Sequence, residues 1–294
     1  MYHHRRFGFR PRRAIVRDDV LRAAPGQSLS LDEMRARLPA IFAEAPHESR
    51  SDRYVYIPTH NLLEGLIKEG FEPVEARVSK AREESRKGFT KHMVRFRAAG
   101  QKMTAVGDTS FEAVMRNAHD GTAAYDFMAG LFRLACLNGM VVSDGEFASA
   151  HVRHSGNRDK QLTQVIDAVY SVVKEAPKVL EAPRLWASIP LRREEQMAMA
   201  ESARTIRFGD AEGNVDTPIR AEQLLFARRP ADDQADLWST FNRIQENVIR
   251  GGLSAHNTTT HRRSTTREVR GIDADIKLNK ALWQLGTKMA ELKA

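Results

Sequence analysis

A single cysteine, Cys136, stands among 294 residues. One thiol excludes an internal disulfide framework and any zinc site built from several thiolates. It sits in the apolar run GLFRLACLNG, between Ala135 and Leu137 and with no base beside it, which reads as buried packing rather than as a nucleophile. Also lacking is any run close to the roughly 18 consecutive apolar residues of a membrane-spanning helix. The opening MYHHRRFGFRPRR has five arginines but no apolar stretch behind them, so it does not read as a secretory signal. A reducing, cytoplasmic setting with no membrane partner is the expectation. No G-x-x-x-x-G-K-[ST] loop occurs, which argues against a P-loop motor. The strand-like runs carry arginines where a two-metal nuclease would need carboxylates. The sequence therefore points away from an enzyme and implies no cofactor.

What is present is ordinary in amount and uneven in placement. Hydrophobic residues make up 41% and charged residues 29%, as in a globular protein. Lys and Arg total 46 against 38 acids, a net charge of +8 and a pI near 9.7. Between residues 77 and 97 the basic residues are Arg77, Lys80, Arg82, Arg86, Lys87, Lys91, Arg95 and Arg97, against Glu83 and Glu84; eight minus two leaves +6. From Arg250 to Arg270 the cations Arg250, Arg262, Arg263, Arg267 and Arg270 face Glu268 alone, a local +4. One such cluster is usually a solvated surface. Two clusters and an arginine-rich start favour a polyanion, and nucleic acid is the expected partner.

The chain divides by pattern into three stretches. Residues 1–50 are basic and read as loosely ordered, with one short helix in LSLDEMRARLPAIFAE. Residues 51–157 read as an α+β core. There YVYIP is strand-like up to Pro58, and THNLLEGLIKEG reads as a helix with Thr59 as N-cap and Gly70 as stop. Three runs alternate apolar and polar residues, PVEARVSKAR, KHMVRFRA and SFEAVMRN, and predict three strands. NAHDGTAAYDFMAGLFRLACLNG reads as a helix capped by Asp120 or Thr122, with Phe127, Met128, Leu131 and Leu134 as its stripe. Two short strands follow in MVVS and SAHVRH. Residues 158–294 read as helical, with Trp186, Trp238 and Trp283 as core anchors. The expected fold is α+β: a three-stranded antiparallel sheet with packed helices, a β-β-β-α core, and a helical C-terminal half.

Alternation sends Val94 and Phe96 to a core and Arg95 and Arg97 to the opposite face. The residues expected on phosphates are Arg77, Lys80, Arg82, Arg86, Lys87, Lys91, Arg95 and Arg97. Arg116 and Arg133 are additions, and Phe89 is placed to stack on a base. His151 and His154, three apart on a strand, would point to opposite faces, so no metal is expected there; His256 and His261 lie in a basic loop. His119 and Asp120 form the most enzyme-like stretch, for which a cap and tight turn is the favoured reading.

The phrases IPTHNLLEGLIKEGFEP, KHMVRFR, NAHDGTAAYDFMAGLFRLACLNGMVV, LWSTFNRIQENVIRGG and REVRGIDADIKLNKALWQL resemble the prophage- and plasmid-borne family called domain of unknown function 932. The likeness runs from Tyr54 to Leu285 and implies a mobile-element protein without assigning an activity. The element order is also similar to that of phage single-strand annealing proteins of the RecT and Redβ type. That similarity implies single-stranded DNA binding in a basic groove between hairpin and helix, strand annealing in recombination, and a homo-oligomeric ring or filament. Two alternatives stand beside it: an accessory protein whose basic strands face an acidic host protein, and an enzyme centred on His92, His119 and Asp120.

Overall fold

The three alternating runs are strands, and they form the middle of a larger sheet. The computed structural model describes residues 15–24, 26–99, 109–133, 138–142, 150–154, 158–256 and 262–294. Its first part runs through β1 (Ile15–Arg17), β2 (Val20–Arg22), α1 (Leu31–Arg37), α2 (Thr59–Lys68), β3 (Phe71–Val78), β4 (His92–Ala98), β5 (Thr109–Asn117), β6 (Tyr125–Arg133), β7 (Asn138–Val141) and β8 (Ala150–Val152). Among the described residues these strands make one antiparallel sheet of eight, ordered β1 to β7 with β8 also paired to β6. The expected three-stranded sheet is therefore too small. The C-terminal half is helical as expected: α3 (Arg158–Lys174), α4 (Ala176–Ala187), α5 (Arg193–Phe208), α6 (Ala221–Leu224), α7 (Leu237–Arg250) and α8 (Ile272–Lys293). A separate hairpin, β9 (Ser254–His256) and β10 (Arg263–Thr265), lies between the last two helices.

The largest correction is β6, which the apolar spacing presented as a helix. Phe127, Ala129 and Leu131 enter the main core. Met128, from the other face, packs with Met93, Val114, Val141 and with Ile272 and Ile276 of α8. A strand buried on both faces loses the alternation that marks a strand, and its continuous apolar run then fits helical spacing equally well. The expected helix cap is a turn into that strand. The Asp120 carboxylate accepts hydrogen bonds from the Thr122 amide at 3.0 Å and hydroxyl at 2.6 Å, and Gly121 turns the chain with φ +77°. Residues 54–58 are likewise no strand: Pro58 precedes α2, and Thr59 is its first residue rather than its side-chain cap. Cys136 lies outside the described residues.

One apolar core joins all three stretches of the chain. It includes Leu21, Met34 and Ile41 from the first fifty residues, Phe96 and Phe111 from the sheet, and Phe241 and Trp283 from the helices. The described part of the first stretch is thus packed, because β1 and β2 extend the sheet. The tryptophans anchor the helices: Trp186 stacks on Trp283 with ring centroids 4.4 Å apart and lies 6.2 Å from Trp238.

Candidate nucleic-acid interface

Register decides which side chains share the sheet face opposite that core. Arg22, Glu75, Arg95, Val114 and Met128 stand abreast on successive strands, and Arg77, Met93, Arg116 and Asp126 form the next row. The alternation that sends Arg95 and Arg97 away from the core is therefore as expected. Their exposure is not: α8 lies across this face, with Ile272 and Ile276 on its apolar patch and Asp273 and Asp275 among its arginines.

The result is an ionic lattice, buried at Glu75, Arg95, Glu112 and Asp275 and open to solvent at Asp273. Glu75 pairs with Arg22 at 2.6 Å and with Arg77, and Arg77 reaches Asp275 at 3.0 Å. Glu112 binds Arg95 at 2.6 Å and Arg97 at 2.9 Å. Arg116 holds Asp126 and meets Asp273 at 2.7 Å, and Asp273 also pairs with Lys91. Six cations (Arg22, Arg77, Lys91, Arg95, Arg97, Arg116) thus face five anions (Glu75, Glu112, Asp126, Asp273, Asp275), so the face is close to neutral. Burial pushes the Glu75 carboxyl up, but Arg22, Arg77 and Arg95 reverse this and hold it well below the usual carboxylate range. Asp275 goes the other way, since burial outweighs the nearby Arg77 and Arg95.

Arg95 is the most enclosed of the expected phosphate ligands, at 1% exposure. Its Nη2 donates to the Met140 carbonyl at 2.9 Å, and its guanidinium occupies space that only glycine leaves open. A Cβ on Gly139 would sit 2.5 Å from the Arg95 Cζ. Arg133 is also buried and pairs with Asp232 at 2.6 Å. Arg77, Arg95, Arg97, Arg116, Lys91 and Arg133 are therefore not brought together as an open basic surface. Local alternation could not show this, because the covering helix is some 180 residues away in sequence.

The rest of the set stays accessible on the β3–β4 connection. Lys80, Arg82 and Lys87 are exposed and Arg86 is half-buried. Among the described residues Lys87 pairs with the exposed Glu84, and Arg86 with Glu83 at 3.1 Å and Asp120 at 3.8 Å. Lys80 and Arg82 have no ion pair among the described residues. The Lys91–Asp273 contact ties the foot of this connection to the start of α8. Arg267 and Arg270 precede that helix and are exposed, Arg270 paired with Glu268 at 3.2 Å. Phe89 does not project for stacking: its ring packs edge-on against His47 at 5.3 Å.

A buried polar hub, which the sequence reading missed except for His92, His119 and Asp120, pins the connection from below. The Phe89 carbonyl accepts the amides of His119 at 3.0 Å and Asp120 at 3.1 Å. Beneath it, the Thr59 hydroxyl lies 2.9 Å from His92 Nε2, 3.2 Å from His119 Nε2 and 3.0 Å from Asn117 Nδ2. His92 Nδ1 faces the Thr90 carbonyl at 3.0 Å, which assigns its proton there and leaves Nε2 to accept from Thr59. Burial pushes His92 down to about 4; burial and the neighbouring imidazoles push His119 down to about 2. Both are fully enclosed and held neutral. His151 and His154 part company, the first meeting Asp126 at 2.6 Å and the second Asn117 Oδ1 at 2.8 Å. Among the described residues no three His, Cys, Asp or Glu side chains are placed to share a metal ion.

The family described as Domain of unknown function (DUF932) matches residues 46–283. UPF0380 protein YafZ of Escherichia coli (strain K12) is 42% identical over 255 residues, covering 87% of this chain and 89% of that protein. UPF0380 protein YfjQ of the same organism is similar to the same extent, 42% over 255 residues and the same shares of each chain. No solved structure matches the chain significantly. Among the described residues no helix is long and apolar enough to cross a membrane.

Proposed function

The chain belongs to the family described as Domain of unknown function (DUF932), and from its own geometry we propose that it binds nucleic acid, single-stranded DNA first among them, through the exposed cations of the β3–β4 connection. The observation that carries this is the pairing pattern. Lys80 and Arg82 are exposed and without an acid partner among the described residues, whereas the arginines of the sheet are already neutralised. Phosphate neutralisation needs cations that water and counterions can reach, and the connection supplies them. Its anchored, irregular backbone suits a flexible strand that adapts to it. A duplex read through the major groove calls for an inserted helix or ribbon.

Binding, rather than annealing, is the extent of the proposal. The β-β-β-α order that motivates annealing needs a helix where β6 stands. The test is fluorescence polarisation with a labelled oligothymidine at low salt. Lys80→Ala, Arg82→Ala and Lys87→Ala combined should weaken binding roughly tenfold or more, with a shallower salt dependence, since each lost phosphate contact on a single strand lowers the slope by about 0.7. Its melting temperature should hardly move, because exposed charges contribute little to stability. Wild-type affinity in that variant, or no binding by the native chain, would overturn the proposal.

A further inference from the structure

Away from the basic connection, the cleft between α2 and α3 has the form of a small-molecule site, and we propose that it takes a small amphipathic amine, an apolar chain or ring with a cationic head. The cleft encloses about 320 Å³. That is roughly twice the engineered cavity of about 150 Å³ that admits benzene, and it falls at the lower end of ligand pockets, about 300–1,000 Å³. Its walls are apolar, formed by Ile57, Pro58, Leu62, Leu66, Phe71 and Val169. This inference is independent of the nucleic-acid reading.

Two observations point to an occupant. The first is Gly65, in the interior of α2 and lining the cleft. Glycine is the poorest helix former after proline, and a helical glycine is usually explained by a neighbour packed against it. Here a Cβ would meet nothing within 4 Å. The glycine leaves open the space into which any larger side chain would point. The second is the charge at the mouth. The Tyr170 hydroxyl, from α3, donates to Glu69 Oε2 at 2.8 Å, and Oε1 bonds nothing among the described residues. Among the described residues Glu69 is the charged side chain that lines the cleft. An apolar floor with a free carboxylate oxygen at its mouth selects a cationic head over an anionic one.

The experiment titrates the full-length protein with octylamine, octanol and octanoate, below their micelle concentrations, by calorimetry or ligand-observed NMR. Octylamine should bind more tightly than octanol, by up to about fivefold as for an exposed ion pair, and octanoate most weakly. Glu69→Gln should level octylamine with octanol. Gly65→Leu should abolish binding of both by filling the cleft, without lowering the melting temperature. Should that variant not fold, Gly65→Ala, which adds one carbon into open space, should raise the melting temperature and weaken octylamine measurably. Octanoate binding as well as octylamine, a folded Gly65→Leu chain that still binds, or no binding of octylamine by the native protein would each overturn the proposal.

Discussion

At the scale of single residues, the buried polar hub around Thr59 has energetics that can be tested. Thr59 satisfies His92, His119 and Asn117 with one hydroxyl inside a site closed to water. Removing it leaves buried donors and an acceptor unpaired, so Thr59→Ala should cost about 2–3 kcal/mol in urea denaturation while Thr59→Ser keeps most of the stability. Acid should act on the same hub. A histidine whose folded value lies below its ordinary 6.5 binds fewer protons folded than unfolded, so its contribution is complete above pH 6.5 and declines below it. His92, at about 4, defines a window from 6.5 down to 4, and His119 titrates lower still. Each should remove roughly 1.4 kcal/mol per pH unit across that window. Urea midpoints at pH 7.5 and pH 5 check this, and equal stability at both would mean that the imidazoles are not held neutral.

At the scale of elements, β6 separates two readings of one sequence by the sign of one substitution. Gly130 lies in its middle, where a Cβ would meet Val114 Cγ2 at 2.8 Å and both Arg95 Nη2 and the Met140 carbonyl at 2.9 Å. In a helix, Gly130→Ala would stabilise by about 0.5–1 kcal/mol. In the strand it should destabilise by about 1–3 kcal/mol through overpacking, a difference that thermal melts read directly. The same contrast explains what the sequence made legible. α2 and α7 each have one apolar stripe with a clear stop, at Gly70 and Gly251. β3, β4 and β5 alternate because one face meets the core and the other meets charged partners. β6 does not alternate because α8 and the main core press on both its faces. The Asp275 partner of Arg77 stayed hidden for a related reason, since an ion pair across 198 residues has no local signature.

At the scale of the whole molecule, the buried lattice and the surface charge have separate consequences, and salt tells them apart. Breaking the lattice by Arg95→Ala takes one of two arginine partners from the buried Glu112, leaving Arg97, and should cost up to about 3–5 kcal/mol in stability, so a loss of binding in that variant would not identify a ligand contact. The salt dependence of the intact protein avoids the difficulty. If Lys80, Arg82, Arg86 and Lys87 carry the phosphates, four contacts at about 0.7 each for a single strand give a slope near −3 in log affinity against log salt. If all eight cations from Arg77 to Arg97 took part, the slope would be near −6 by the same rule. The second outcome would require Arg77, Lys91, Arg95 and Arg97 to leave Glu75, Glu112, Asp273 and Asp275, which means lifting α8 from a face where Ile272 and Ile276 are buried. Such a rearrangement should also raise hydrogen exchange in α8 when oligonucleotide is added. A slope near −3 with α8 still protected fits binding at the rim alone; a slope near −6 with α8 exposed would move the interface onto the sheet.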